Sequence, residues 1–569
     1  MRLSLLLAIV VLVLITTLQA QSLSAEWPRS PTIAPHGMVA TGQPLAVQIG
    51  VDILKRGGSA VDAAIAVDAA LGLMEPMSCG IGGDLYALVW DNKEKKLYGL
   101  NASGRAPYAA TLEYFKQKNL SSIPSSGPLS WSVPGCVDGW DALQKKWGKL
   151  PLKDVLQPTI EYAEAGFPVS PVIAGYWLSG ERLLSRSTNA NHAGLRTVFY
   201  PNNGRGPRVG EVFKNAKLAH CYRLLAEKGR DAYYKGPIAM ELVKYSKSVG
   251  GLFSQKDFDD TAATWVEPVS TDYRGYTVCA IPPPGQGIAT LQMLNTLEAY
   301  DLKKMGPGSA DYWHVFLEAK KLAYADRARF YTDPEFCKVP VKELISKDYA
   351  SSRRQLIDMN KAMTKVEHGD PKLGQSDTIY LTVVDKDRNC VSFIQSNYNG
   401  FGSGLVPPEL GFAIQNRGCL FALDENHPNK LEPHKRPFHT IIPGFVLKDG
   451  KPWFCFGCMG GDMQPQGQVE VLVNMIDFGM NVQAAGNYPR LEHTGSATPT
   501  GRAMASNGGT VQAEPGIPDA VIKELEKRGH VVQRVARNGG GYQGIMIHPV
   551  TGMLHGGSEP RKDGMAIGY

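Results

Sequence analysis

Residues 376–385 read Ser376-Asp377-Thr378-Ile379-Tyr380-Leu381-Thr382-Val383-Val384-Asp385. From Thr378 to Val384 the side chains are mostly β-branched or aromatic, so this run is expected to form a strand. A hydroxyl residue opens it. The polar stretch before it, 354–377, has no strong apolar period and reads as partly exposed and flexible. Within a chain such a threonine is ordinary. As a new N-terminus it joins a nucleophilic hydroxyl to a free amine that can act as its base. An α-amine titrates near ~7.7–8, so it can take the hydroxyl proton close to neutral pH. Cleavage between Asp377 and Thr378 is therefore the event on which the functional reading turns.

Downstream, 391–394 reads as a second strand joined to the first by a turn at 386–389. A further strand, 453–458, is closed by Met459-Gly460-Gly461, and 469–478 returns to helix. Upstream, Leu45, Ile49, Ile53 and Leu54 share one helical face, which predicts a helix over 43–56. Gly57-Gly58 stops it, and Ser59 opens an alanine-rich helix over 60–73. A glycine-rich turn at 79–83 leads into a buried strand at 85–90, and an amphipathic helix is expected over 310–331. There are no repeats. Mixed strands and helices place the chain in the α/β (α+β) class, with sheets covered by helices.

The chain has 569 residues, 43% hydrophobic and 20% charged, enough for a large core. Sixty basic against 54 acidic residues, with no long cationic run, give no reason to propose a nucleic-acid partner. Arg2 followed by an apolar run to Leu18 reads as a signal peptide over 1–20, cut after Ala20 or, alternatively, Ala25. A retained anchor is the other reading, but the run falls slightly short of a span of ~20 residues. The mature protein is expected to be exported, secreted or periplasmic, and off the membrane. Nine cysteines leave at least one thiol unpaired within the chain. Cys455-Phe456-Gly457-Cys458 lacks the further ligands a zinc site needs and reads as strand packing. No metal, no phosphate loop and no Gly-x-Ser-x-Gly elbow is expected. Two sequons, at Asn101 and Asn119, matter only in a host that glycosylates exported proteins.

Seven segments, in order, resemble the γ-glutamyltranspeptidase family of N-terminal nucleophile hydrolases. They lie at 53–83, 131–140 (WSVPGCVDGW), 282–287 (PPPGQG), 377–385 (DTIYLTVVD), 400–404 (GFGSG), 434–443 (HKRPFHTIIP) and 457–462 (GCMGGD). The resemblance implies a four-layer αββα sandwich and a zymogen that cuts itself before Thr378. A large chain, 21–377, would stay bound to a small catalytic chain, 378–569, in one intertwined heterodimer that needs no cofactor. It implies a γ-glutamyl ester on Thr378, hydrolysis of glutathione-like amides, and two glycines, Gly460 and Gly461, at the oxyanion. Ser396 falls where the family has a hydroxyl near the nucleophile.

The expected substrate contacts depart from the family pattern. Arg105 stands two places after the family's carboxylate-binding arginine. His439-Thr440 replaces a Ser-Ser pair, with His439 open to a core, ligand or weak-base role. The acidic residue for the substrate α-amine falls near Leu420, and the nearby polar residue is Arg417. An arginine there suits a donor with more negative charge or without the amine, such as a glutaryl amide. The loop 424–433 is shorter than the family's lid, which favours water over transfer. Two alternatives stay open: an acylase for glutaryl or other N-acyl amides, and a secreted non-catalytic binding or toxin-like protein on the same fold.

Overall fold

Strand Asp377–Val384 lies inside a seven-stranded antiparallel sheet, between Met38–Thr41 and Cys390–Tyr398. The sheet continues through Asp84–Asp91, Lys96–Ala102 and Thr264–Val266, and Met565–Gly568 closes its other edge. A second seven-stranded antiparallel sheet runs in the order Thr32–Ala34, Leu554–Ser558, Gly541–Ile547, Lys451–Met459, Gly444–Lys448, Tyr276–Ala280, Val269–Tyr273. This is a computed structural model, and it describes residues 29–185, 192–367 and 377–569. The proposed signal segment 1–20 and the Thr378 side chain lie outside the described residues.

The sheets pack face to face. Ser392 Oγ donates to Phe456 O of the opposite sheet at 3.4 Å, and Thr382 Oγ1 donates to Cys455 Sγ there at 3.0 Å. At Gly457 a Cβ would lie 2.5 Å from the Tyr380 ring, so this close approach requires glycine. Helices Pro44–Lys55 and Ala60–Met74 cover the first sheet; Gly287–Leu297, Ala310–Phe330 and Met463–Ile476 cover the second. The result is a four-layer αββα sandwich. Both sheets combine strands from before and after position 377.

Every side chain of Ala60–Met74 is buried, which is why small residues line all its faces. Ser59 and Asp62 form a reciprocal capping box at its start. Two elements run further than hydrophobicity suggests. Strand Cys390–Tyr398 continues through Gln395, Ser396 and Asn397 because their polar groups bond the 78–83 turn: Gln395 grips Gly80 N–H at 2.8 Å and Gly80 O at 2.6 Å, and Asn397 Nδ2 donates to Cys79 O at 3.0 Å. Helix Met463–Ile476 begins six residues before the apolar run because Gln464 and Gln468 bond the backbone of Ile442 at 2.9 and 3.0 Å. Residues 355–367 are partly pinned down: Ala362 N–H donates to Arg528 O at 2.6 Å and Met363 N–H to Glu318 at 2.9 Å. All nine cysteines are free thiols.

Candidate active site

The pairing of Asp377–Val384 with Cys390–Tyr398 is regular from Ile379 onward, with Ile379 opposite Gln395. Asp377 then pairs with Tyr398, so one extra residue on the partner strand bulges opposite Thr378. Bulges re-aim side chains and are common beside active sites. This one is held by Ser396, whose Oγ accepts the Tyr398 N–H at 2.8 Å, and it puts Tyr398 at φ +78°. Ser396 is fully buried and pairs across the sheet with Asp84.

Asp84 organises the next layer. Its Oδ1 accepts Gly104 N–H at 2.6 Å and Gln415 Nε2 at 2.8 Å. Its Oδ2 accepts His439 Nε2 at 2.9 Å and lies 3.6 Å from Arg417 Nε. A carboxylate only accepts, so His439 carries its proton on Nε2 and leaves Nδ1 as a bare acceptor. Stacked on Tyr86 at 4.8 Å and fully buried, His439 is pushed down to about 3, first by burial and then by Arg417. At that value the ring is uncharged near neutral pH.

Arg417 is also fully buried. Burial pulls it down to about 10, against the pull of Asp84. Its Nη1 donates to Thr440 Oγ1 at 2.9 Å, and its guanidinium lies 5.1 Å from the Tyr398 ring. Nη2 and Nε have no hydrogen-bond acceptor among the described residues. A buried cation with spare donors beside the bulge can take a carboxylate.

Gly460 and Gly461 follow strand Lys451–Met459 with φ of +118° and +54°. A Cβ on Gly460 would lie 2.7 Å from Gly540, so only glycine fits. Gly460 O accepts Met463 N–H at 2.9 Å, which turns that carbonyl into the first turn of the following helix. In a trans peptide the Gly461 N–H then points the opposite way, out of the helix. Gln286 secures the arrangement: its Nε2 donates to Gly461 O at 2.8 Å and Thr440 O at 2.7 Å, and its Oε1 accepts Arg327 Nη1 at 2.6 Å. Arg327 in turn pairs with Asp462 at 2.7 Å. Gly42 spans the neighbouring strands: a Cβ there would touch Ile379 at 3.3 Å and Met459 at 3.7 Å, which sets the glycines beside the start of the Thr378 strand.

The structure thus joins His439, Arg417 and Thr440 in one buried network around Asp84, which pairs with Ser396 beside the bulge, and links Thr440 to Gly461 through Gln286. It does not bring in the Arg105 guanidinium, which donates to Glu335 at 2.8 Å and His434 O at 3.0 Å. Sequence reasoning missed Asp84 and Gln286. Both sit in or beside quoted motifs, Asp84 directly after Gly82-Gly83 and Gln286 within PPPGQG, but partners distant in the chain define their roles. The 424–433 loop is pinned down, with Asn429 Nδ2 donating to Leu420 O at 2.7 Å and Pro499 O at 2.9 Å. Beyond Gly460 opens a cleft of about 520 Å³. Among the described residues no group of three or more His, Cys, Asp or Glu side chains is placed to hold a metal ion, and no helix is long and apolar enough to cross a membrane.

Two facing sheets between helices, with a bulged strand start beside paired glycines, define an N-terminal nucleophile hydrolase fold. Within that class the chain is an enzyme of the gamma-glutamyltranspeptidase family, whose pattern matches residues 46–569. It is 39% identical to the glutathione hydrolase-like YwrD proenzyme of Bacillus subtilis, across 93% of this chain and 98% of that one. It is 34% identical to the acylase ACY 1 proenzyme of Pseudomonas sp. strain SE83, across 95% and 94%. The crystal structure of cephalosporin acylase from Bacillus halodurans superposes with a TM-score of 0.88 at 43% identity, covering 96% of this chain and 98% of that one.

Proposed function

We propose that this chain is an exported proenzyme that cuts itself before Thr378 and then hydrolyses γ-glutamyl amides through an ester on that residue. The hydroxyl attacks the Asp377 carbonyl, the ester is hydrolysed, and a large chain ending at Asp377 stays with a small chain starting at Thr378. In turnover the α-amine takes the hydroxyl proton, the acyl group moves to Oγ, the amine half leaves, and water releases the acid. Gly460 and Gly461 supply N–H donors to the oxyanion, each worth ~2.7–4 kcal/mol in related sites. The supporting observation is the buried Arg417–Thr440 pair beside the bulge at Thr378, with guanidinium donors to spare for the acyl group's carboxylate. The short, pinned 424–433 loop favours water as acceptor over a second amine.

A second reading, a glutaryl-type acylase, draws on Arg417 and Leu420, which place no carboxylate of their own for an α-amine. The relatives include both a glutathione hydrolase-like proenzyme and an acylase proenzyme. N-terminal sequencing of the purified protein tests processing: a fragment beginning Thr-Ile-Tyr is expected, and Thr378→Ala stays in one piece. A non-catalytic role gains if Thr378→Ala blocks processing yet leaves a biological activity intact. Rates on γ-glutamyl and glutaryl p-nitroanilide then separate the two substrates; a clear glutaryl preference selects the acylase.

A further inference from the structure

The stretch 496–502 borders the Arg417 side of the site, and two side chains anchor it there. Arg327, which pairs with Asp462 next to Gly461, also donates through Nη2 to Ala497 O at 3.2 Å. Asn429 Nδ2 donates to Leu420 O at 2.7 Å and to Pro499 O at 2.9 Å, and its Oδ1 accepts the Phe438 N–H at 3.0 Å. One asparagine therefore joins this stretch both to the segment that carries Arg417 and to the segment that carries His439 and Thr440. Residues 496–499 are buried. Gly501, at φ +83° with its N–H on Thr498 O at 3.3 Å, then turns the chain, and Arg502 emerges exposed.

No hydrogen bond or ion pair holds Arg502 among the described residues. What burial it has draws its pKa down, against the pull of Asp462 and Tyr398, and it stays a cation at working pH. Tyr398 is also the ring beside the Arg417 guanidinium, so the two arginines share one neighbourhood. The carboxylates there are already committed. Asp84 accepts from His439, Gly104 and Gln415 and lies against Arg417, and Asp462 pairs with Arg327. A carboxylate on the acyl half meets two cations in this place. An ammonium on the same carbon meets the same two cations and no uncommitted carboxylate.

Resting on the proposed amidohydrolase reading, we infer that Arg502 is a specificity residue of the acyl site, favouring an acyl half that bears a carboxylate alone over one that adds an α-ammonium. Glutaryl and γ-glutamyl groups have the same chain and the same carboxylate and differ only in that ammonium. Attraction of the carboxylate therefore cancels between them, and repulsion of the ammonium remains. A charge roughly 6–8 Å away at a wet cleft mouth, with an effective dielectric of about 40–60, changes binding about three- to tenfold. Salt weakens such an effect.

The test reads the ratio of kcat/KM for glutaryl over γ-glutamyl p-nitroanilide at about pH 7, on processed wild type, Arg502→Lys, Arg502→Gln and Arg502→Glu. The leaving aniline is common to both substrates, so the ratio reports the acyl half alone. Arg502→Gln is expected to lower the ratio about three- to tenfold and Arg502→Glu about ten- to hundredfold, whereas Arg502→Lys keeps it within about twofold. The gaps narrow in 0.5 M salt (roughly a 4 Å Debye length). A merely structural role would move both rates together and leave the ratio alone. Equal ratios in wild type, Arg502→Gln and Arg502→Glu therefore overturn the inference while leaving the amidohydrolase reading intact. If processed wild type cleaves neither anilide, that reading fails and the inference falls with it.

Discussion

Replacing Arg417 with methionine separates acyl recognition from the rest of the site. The guanidinium gives one hydrogen bond to Thr440 and leaves Nη2 and Nε without an acceptor among the described residues. Two charge-assisted bonds to a substrate carboxylate are worth about 3–6 kcal/mol gross, at ~1.5–3 each. Stripping water from that carboxylate offsets part of this, leaving about 2–4 kcal/mol. The expected loss in kcat/KM for γ-glutamyl or glutaryl p-nitroanilide is therefore roughly 30- to 700-fold, at ~1.4 kcal/mol per factor of ten. Valeryl p-nitroanilide, which has the chain but no carboxylate, should change by less than about threefold. The fold should tolerate the change. Asp84 keeps donors from Gly104, Gln415 and His439, and a cation that burial already pulls down to about 10 is not stabilised by its surroundings. Methionine fills a similar volume, so the stability change should stay within about 2 kcal/mol. Rates are normalised to the processed fraction on a denaturing gel. Equal losses on carboxylated and neutral acyl groups, or no loss on either, would refute the assignment of Arg417 to the acyl carboxylate.

Three further outcomes follow from the same geometry. Gln286→Leu strips the Thr440 carbonyl of its side-chain donor and loosens Gly461, so kcat should fall at least about tenfold with KM steady and stability should drop by about 1–3 kcal/mol; an unchanged kcat would detach Gln286 from the oxyanion site. Arg105→Ala breaks pairs with the half-exposed Glu335 and the buried Asp333, costing about 1–3 kcal/mol of stability, and should leave kcat/KM of the folded enzyme within about twofold; a hundredfold loss would mean that its guanidinium reaches substrate after all. His439, held at about 3 by burial and Arg417, binds a proton near ~6.5 once unfolded, so its contribution is present above that pH and is lost as pH falls toward 3. His530, pushed down to about 2 by burial, shares this acid slope. In His439→Gln, whose amide can still donate to Asp84, the urea midpoint should fall less steeply between pH 6.5 and 4, and an unaltered slope would refute the buried neutral imidazole.

Much of the frame was legible in the chain. The Ser59 cap, the all-round apolar helix 60–73 and the strand after Thr378 are local patterns, and local chemistry sets them. Polar interior segments were not. Strand Cys390–Tyr398 and helix Met463–Ile476 extend through Gln395, Asn397, Gln464 and Gln468, which look solvent-facing until the loops they bond are in place. Arg105 shows the converse: its motif is readable, yet Glu335, 230 positions on, takes its guanidinium.

By itself the sequence determined the strand, the hydroxyl that heads it and the glycines that only a tight turn explains, because these depend on residues within a few positions of each other. Only the tertiary structure decided that Asp84 would gather His439, Arg417, Gln415 and Gly104, and that Gln286 would bridge Thr440 to Gly461. Each of those arrangements joins groups far apart in the chain. A buried carboxylate or carbonyl must be satisfied by whatever donor packing brings near, and chain separation carries no information about which one that will be.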